Sequence, residues 1–362
     1  MASKTSDYDQ YPDVIFDDNQ TDCINLTSCN NTPAYDYPQY DDSVLLFYFI
    51  LWNVITPILF AIIILVGTVG NVLVIYVILS RVTMQTTTNY LLINLALSDL
   101  AFLLIVAPIT AYKYAAASWP FGDTACKIVH YVIYVSAYVT VYTLIAVSVL
   151  RYLTVIHGVS TARYRTKRNI IVVNFFIWIL LLVVNIPSLL IHQLKIFDEH
   201  FSYCGLAADS TKAFYLTFFL FGYGIPLVII CVLYLVIVDH LHKASSSAVG
   251  QTRRRTTRVS KVILLVVLVF AVLWLPLHVN QLLSVFGTVP AGHWYEVIRV
   301  LCNCFAYGNS CANPIIYNFV SKDFKNGFRA AVCCRPIAGR RGRNGTTTNT
   351  DNGLATERST MM

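Results

Sequence analysis

Ser148-Val149-Leu150-Arg151-Tyr152-Leu153-Thr154-Val155 closes an apolar run of about twenty residues, and its one arginine has no carboxylate beside it. A charged side chain at the edge of such a run is expensive to place near a bilayer and usually serves a function. Working outward, this run is one of seven long enough to cross a hydrocarbon core of ~30 Å. They cover approximately 47–79, 89–113, 125–155, 169–191, 213–240, 260–286 and 295–319. Only helices and closed barrels satisfy the backbone in lipid, and these stretches are too long and too uniformly apolar for barrel strands. With 56% hydrophobic and 12% charged residues over 362 positions, and a mean hydropathy of +0.60, the chain is too apolar for a soluble domain of this size. The expected fold is an all-α membrane protein, a seven-transmembrane helix bundle over 45–320 with a short amphipathic eighth helix over 321–334. An extracellular tail (1–44) precedes the bundle and a cytoplasmic tail (335–362) follows it.

The charges orient the bundle. Segments expected on the inner side hold 20 of the 26 Lys and Arg residues, and the outer ones hold Lys4, Lys113, Lys127, Lys195, Lys212 and Arg299. Acids run the other way: 14 of 19 lie outside, nine of them Asp within residues 1–42. That bias predicts an outward N terminus. The net charge of +7 is therefore a topology signal and not a nucleic-acid footprint. Residues 1–42 contain no apolar signal-peptide core, so the first helix is expected to act as its own insertion signal. The acidic, Tyr-rich composition of this tail predicts disorder, and Asn19, Asn25 and Asn30 each begin an acceptor tripeptide for glycosylation.

Ten cysteines sort by compartment. Cys126 opens the third helix on the outer side and Cys204 lies in the outer loop 192–212; a disulfide tying that loop to helix three is expected. Cys23 and Cys29 are also outside, where pairing and free thiols are equally open readings. Cys333 and Cys334 follow Lys322-Asp323-Phe324-Lys325-Asn326-Gly327-Phe328-Arg329, in which Phe324 and Phe328 share a face. Adjacent cysteines beyond such a helix suggest palmitoylation, the alternative being unmodified thiols.

Polar residues inside the spans carry the rest. Asp99 lies midway along helix two, Asn309 and Asn313 share a face of helix seven, and Asn71 and Thr140 sit at similar depth. Such a cluster fits either a small cation, sodium being the candidate, or a self-satisfied hydrogen-bond network. Prolines 57, 108, 187, 226, 276 and 314 each fall in one helix, where bends are expected, with hinges near Pro276 and Pro314.

These residues together resemble the rhodopsin family of G-protein-coupled receptors over about 45–335. Gly70-Asn71, Leu95-Ala96-Leu97-Ser98-Asp99, Leu150-Arg151-Tyr152, Trp178, Pro226, Tyr234, Phe270 through Pro276, and Asn313-Pro314-Ile315-Ile316-Tyr317 occur in the family's order. The resemblance implies an activation switch of Leu150, Arg151, Tyr152, Trp274, Pro276, Asn313, Pro314 and Tyr317. One departure stands out: the family's acid before the arginine is Leu150, and the position of a second acid in helix six is Thr256. An opsin would need a lysine in helix seven, and residues 295–319 contain none. No inverted repeat of a transporter is visible.

The sequence resembles most the invertebrate allatostatin-A receptors and the vertebrate galanin receptors. Ser118-Trp119-Pro120-Phe121-Gly122, Val141-Tyr142-Thr143-Leu144, Trp274 through Val279, and Ala306 through Cys311 carry that likeness. It implies a plasma-membrane receptor and not an enzyme, without catalytic residues and without a cofactor beyond a structural sodium ion. The agonist would be a short neuropeptide, perhaps amidated at its C terminus, and the coupling would be to inhibitory G proteins. Tyr112, Trp119, Tyr134, His278, Gln281, Arg299 and Asn303 are the expected ligand contacts. The aspartate that amine, opioid and somatostatin-like receptors use for a ligand ammonium is replaced by Ile133. Inside, Arg253-Arg254-Arg255 would meet a G protein or anionic membrane lipids, and Thr346, Thr347, Thr348 and Thr350 would recruit arrestin once phosphorylated. A non-signalling decoy that binds and internalises peptide is the competing function.

Overall fold

A computed structural model describes residues 42–116, 118–197, 201–243, 250–287 and 293–333. Asn19, Asn25, Asn30, Cys23, Cys29, Cys334 and the Thr-rich tail lie outside the described residues, as do the side chains of Arg253, Arg254, Arg255 and Thr256.

Six described helices are long and apolar enough to cross a membrane: α1 (Asp42–Ser80), α2 (Thr87–Ala116), α3 (Gly122–Ile156), α4 (Lys167–Ile191), α5 (Thr211–Leu241) and the outer part of α6 (Gly250–Phe286). The seventh, α7 (His293–Val320), has 28 residues and falls short only in apolarity, because Asn303, Asn309, Asn313 and several tyrosines punctuate it. A short α8 (Lys322–Val332) follows. The helix starts are written locally: the side chains of Thr86, Thr166 and Ser321 each accept the backbone N–H three residues on, capping α2, α4 and α8.

Of these six spans α3 is the most enclosed and α4 the least, with Phe175, Phe176, Leu180, Val183 and Val184 pointing outward. A continuous apolar face of this kind would drive aggregation in water and is matched by acyl chains in a bilayer. Small residues let the helices approach: a Cβ on Gly70 would lie 2.6 Å from Pro314 Cγ, so glycine is what allows α1 to lie against α7.

The prolines act in two ways. At Pro57, Pro108 and Pro226 a wide turn (Leu51–Ile55, Phe102–Val106, Leu220–Gly224) ends two residues before the ring. There the N–H of Thr56, Ala107 and Ile225 reaches the carbonyl five residues back, and the extra residue swings the clashing carbonyl away from the ring. Pro187 begins a new turn after Asn185, whereas Pro276 and Pro314 lie inside helices that run through them.

Between α4 and α5 the chain folds into a hairpin where sequence suggests only a loop. β1 (His192–Ile196) pairs antiparallel with β2 (Ser202–Leu206), setting Leu194 opposite Cys204. Strands of five residues carry too little periodicity to be read in advance. At the other side of the bundle α8 turns away from α7, with Phe324 buried and stacked 5.3 Å from Tyr317. Cys333 follows α8 and is exposed.

Candidate functional site

The helix ends on the side of the hairpin, called outer below and the opposite ends inner, enclose a cavity of ≈ 450 Å³. α1 contributes Tyr48 and Trp52, α2 Thr110, Lys113 and Tyr114, and α3 Ile133 and Tyr134. Tyr215 and Phe218 of α5, Trp274 and Gln281 of α6, and Arg299, Asn303 and Tyr307 of α7 complete the wall, and Tyr203 of β2 reaches it from the hairpin. Five of the seven expected contacts, Trp119, Tyr134, Gln281, Arg299 and Asn303, line this space.

Tyr112 and His278 do not, and helical phase explains both corrections. Thr110, Lys113 and Tyr114 share a face at spacings of three and four, and Tyr112 is about 200° away from Thr110 at 3.6 residues per turn. It is half exposed and packs edge-on against Phe121 at 5.2 Å. On α6 the cavity face is Trp274, Leu277, Asn280 and Gln281, so His278 points sideways toward α5. Phe218 (4.8 Å), Tyr223 (4.9 Å), Phe219 (5.8 Å) and Trp274 (5.9 Å) surround its ring. Among the described residues neither of its nitrogens finds a hydrogen-bond partner. Lys113, Trp52 and Tyr203 were not foreseen; the spacing of Thr110, Lys113 and Tyr114 is the one signal that could have found the lysine.

The cavity has a lid that is bonded down. Cys126 and Cys204 form the expected disulfide, with Cα atoms 5.6 Å apart. Leu194 N–H donates to Asp123 Oδ1 (3.0 Å), Trp119 N–H to the Ser202 carbonyl (2.9 Å), and Ser202 Oγ to the Trp119 carbonyl (2.7 Å). Trp119 is buried and its indole N–H donates to the Gly122 carbonyl (2.9 Å), so it anchors the turn into α3 as well as facing the cavity. His130 and His192 stack at 4.4 Å and join α3 to β1. Within the wall, Arg299 pairs with Glu296 (2.6 Å), Asn303 Nδ2 donates to the Arg299 carbonyl (2.9 Å), and Thr110 shares a hydrogen bond with Tyr307 (2.8 Å).

Trp274, Phe102 and Ala306 form the floor, because the same three residues also roof a void of ≈ 10 Å³ beneath. That void is about the size one water or small ion needs. Asp99, Thr140 and Asn309 line it together with Ser98, Ser136 and Ser310, whereas Asn313, the fourth candidate, does not. Asp99 accepts from Ser310 Oγ (2.8 Å) and Asn313 Nδ2 (3.0 Å), while Asn71 Nδ2 donates to the Ser310 carbonyl (2.9 Å). Sequence does not assign the three serines to the void, because serine is common in helices and gains meaning only by facing Asp99.

At the inner end of α3, Leu150 is buried in the helix core and Arg151 reaches across to α2, donating to Thr88 Oγ1 (2.6 Å). Its Nε is buried without a partner, and among the described residues it makes no ion pair. Tyr152 turns to the edge of His157 at 5.6 Å. Among the described residues the hydroxyl of Tyr317, near the end of α7, is likewise buried without a hydrogen-bond partner.

Comparisons with known proteins agree with this geometry. Residues 70–317 match the family model described as 7 transmembrane receptor (rhodopsin family). The allatostatin-A receptor of Bombyx mori is 33% identical over 335 residues, covering 88% of this chain and 91% of that protein. Galanin receptor type 1 of Rattus norvegicus is 35% identical over 289 residues (78% and 83%). Somatostatin receptor type 5 of Bos taurus is 34% identical over 293 residues (78% and 77%).

Proposed function

Because the chain belongs to the rhodopsin family of seven-transmembrane receptors, we propose that it is the receptor for a short neuropeptide of the allatostatin-A or galanin kind and signals through inhibitory heterotrimeric G proteins. The membership itself makes the chain a multi-pass plasma-membrane receptor and not an enzyme. The observation that carries the ligand reading is the lidded outer cavity, whose floor, Trp274, is also the roof of the Asp99 cluster. A peptide that moves Trp274 perturbs the polar core directly, and the core bridges α1, α2 and α7. Ile133 in the wall, where an acid would receive a ligand ammonium, turns the reading away from amines and somatostatin-like peptides.

Asp99, Ser310, Thr140 and Asn309 offer the hard oxygen donors a sodium ion prefers, and the void is of ionic size. Sodium bound there would hold the resting state. Asn19, Asn25 and Asn30 would carry glycans on an outward tail, Cys333 and Cys334 palmitate, and the phosphorylated threonine tail arrestin. A C-terminally amidated peptide remains part of the reading. Guanine-nucleotide exchange on purified G protein, driven by a panel of synthetic allatostatin-A and galanin peptides, tests the whole. Peptide binding without exchange would instead support the decoy, which the bare Arg151 favours.

A further inference from the structure

The neuropeptide reading leaves open which chemical group the cavity selects, and the charges in its wall speak to that. Among the described residues that line it, Glu296 is the only acid, and it is already paired with Arg299 at 2.6 Å. Lys113 is then left over. Its Nζ sits 4.7 Å above the ring of Tyr203, held between α2 and the lidding hairpin. A lysine near a helix end commonly snorkels outward along the membrane surface; this one lines the cavity beneath β2 instead. Among the described residues no carboxylate lies within ion-pair distance of it.

We infer that Lys113 is the receiving group for a carboxylate of the peptide. Resting on the peptide-receptor reading, this assigns the cavity an anion subsite bounded by α2, the hairpin and the aromatic rings that line the wall beside them. The physical reason is compensation. A cation against an aromatic face keeps part of its attraction, but a lidded cavity removes water from it, and a ligand anion restores a charge-assisted bond. Tyr114 and Tyr215, whose phenols are hydrogen-bond donors, also line the space. The uncompensated charge has the opposite sign to the one an ammonium ligand would require, in keeping with Ile133 on α3. An amidated C terminus cannot supply the partner, so for an amidated agonist the carboxylate must be an Asp or Glu side chain; for a free-acid agonist the terminus itself suffices.

The test uses the full-length receptor in lipid nanodiscs with G protein, measuring nucleotide exchange. The probes are synthetic allatostatin-A and galanin peptides in matched forms: Asp and Glu kept or changed to Asn and Gln, and the C terminus as acid or amide. The carboxylate-bearing form is expected to be more potent by roughly 30-fold or more. Loss on changing the side chain, or on amidation, tells which carboxylate is read. Lys113→Gln should erase the preference, Lys113→Arg should keep it, and Lys113→Glu should transfer it to peptides carrying Lys in place of the acid. Equal potency of the charged and neutral forms on the native receptor, or a preference that survives in Lys113→Gln, overturns the inference while leaving the receptor reading intact. Failure of every form either to bind the native receptor or to drive exchange on it overturns the receptor reading, and the subsite with it.

Discussion

The two ends of α3 are held in opposite ways. At the outer end Cys126 is covalently joined to Cys204, Asp123 accepts from Leu194 and pairs with Lys127 at 2.5 Å, and the hairpin lies fixed over the cavity. At the inner end Arg151, a full charge, rests among the described residues on one hydroxyl, that of Thr88. A covalent tie has one arrangement; a guanidinium on a single neutral acceptor is easily given another. The outer half is therefore tied in one arrangement, and the inner half is held by a contact that is easily exchanged.

The largest effect should come from cutting the outer tie. Cys204→Ala opens a crosslink spanning 78 residues of chain, a loss that typically costs a few kcal/mol. The helices do not depend on the hairpin for burial in lipid, so the receptor should still reach the cell surface. Peptide affinity should fall by roughly 100-fold, as a 3 kcal/mol loss implies. Surface receptor with native affinity in Cys204→Ala would mean that the backbone bonds of Trp119, Ser202 and Leu194 hold the lid by themselves.

The next effect lies at the inner end. Removing the hydroxyl in Thr88→Val leaves Arg151 without its resting acceptor, and hydrogen bonds to charged groups contribute ~1.5–3 kcal/mol. Basal exchange without peptide should rise by about tenfold, within the range of typical allosteric couplings. Leu150→Asp should lower it by supplying the missing carboxylate. Because Leu150 is buried, Leu150→Asn serves as the control for the cost of burying a polar group there. Equal basal exchange in the native receptor, Leu150→Asp and mock membranes, with a normal peptide response, would show that packing alone holds the resting state.

The same contrast separates what the sequence could reveal from what it could not. The spans are legible because lipid requires about twenty apolar residues from every crossing, and a misplaced charge such as Arg151 stands out against them. Asp99 with Asn313, and Cys126 with Cys204, are legible because each pairs rare residue types at matching depth. Facing is harder. Tyr112 and Lys113 are neighbours, equally suited to an outer wall by composition, and only the rotation of α2 assigns the lysine to the cavity and the tyrosine to the rim of Phe121. The hairpin and the wide turns before Pro57, Pro108 and Pro226 were hidden for a related reason: short strands and single extra residues leave no period to detect.

A smaller effect concerns the layer between the two ends. If sodium occupies the void beside Asp99 in the resting state, linkage requires it to weaken agonist binding. Agonist affinity should drop by roughly fivefold as sodium replaces a bulky organic cation, the lower end of typical couplings. Asp99→Asn should abolish that dependence. Affinity indifferent to sodium in the native receptor would leave Asp99, Ser310 and Asn313 as a hydrogen-bond network with no ion to hold.

The smallest effect on binding should come from His278, and it is the sharpest check on where the outer cavity ends. The imidazole is buried among Phe218, Phe219, Tyr223 and Trp274, and among the described residues neither nitrogen is hydrogen-bonded. An unsatisfied buried polar group costs ~1–3 kcal/mol, and replacing it by an apolar group of like shape is neutral or stabilising. His278→Phe should therefore raise the thermal midpoint of the solubilised receptor by a few degrees, in proportion to a gain of ~1 kcal/mol. Peptide affinity should stay within about twofold, because the ring points toward α5 and it is Leu277 and Gln281 that line the cavity. A marked loss of affinity with unchanged stability would show that the peptide parts α5 from α6 and extends the cavity to this ring, and the division between a fixed outer half and a movable inner half would have to be drawn lower, through Trp274 itself.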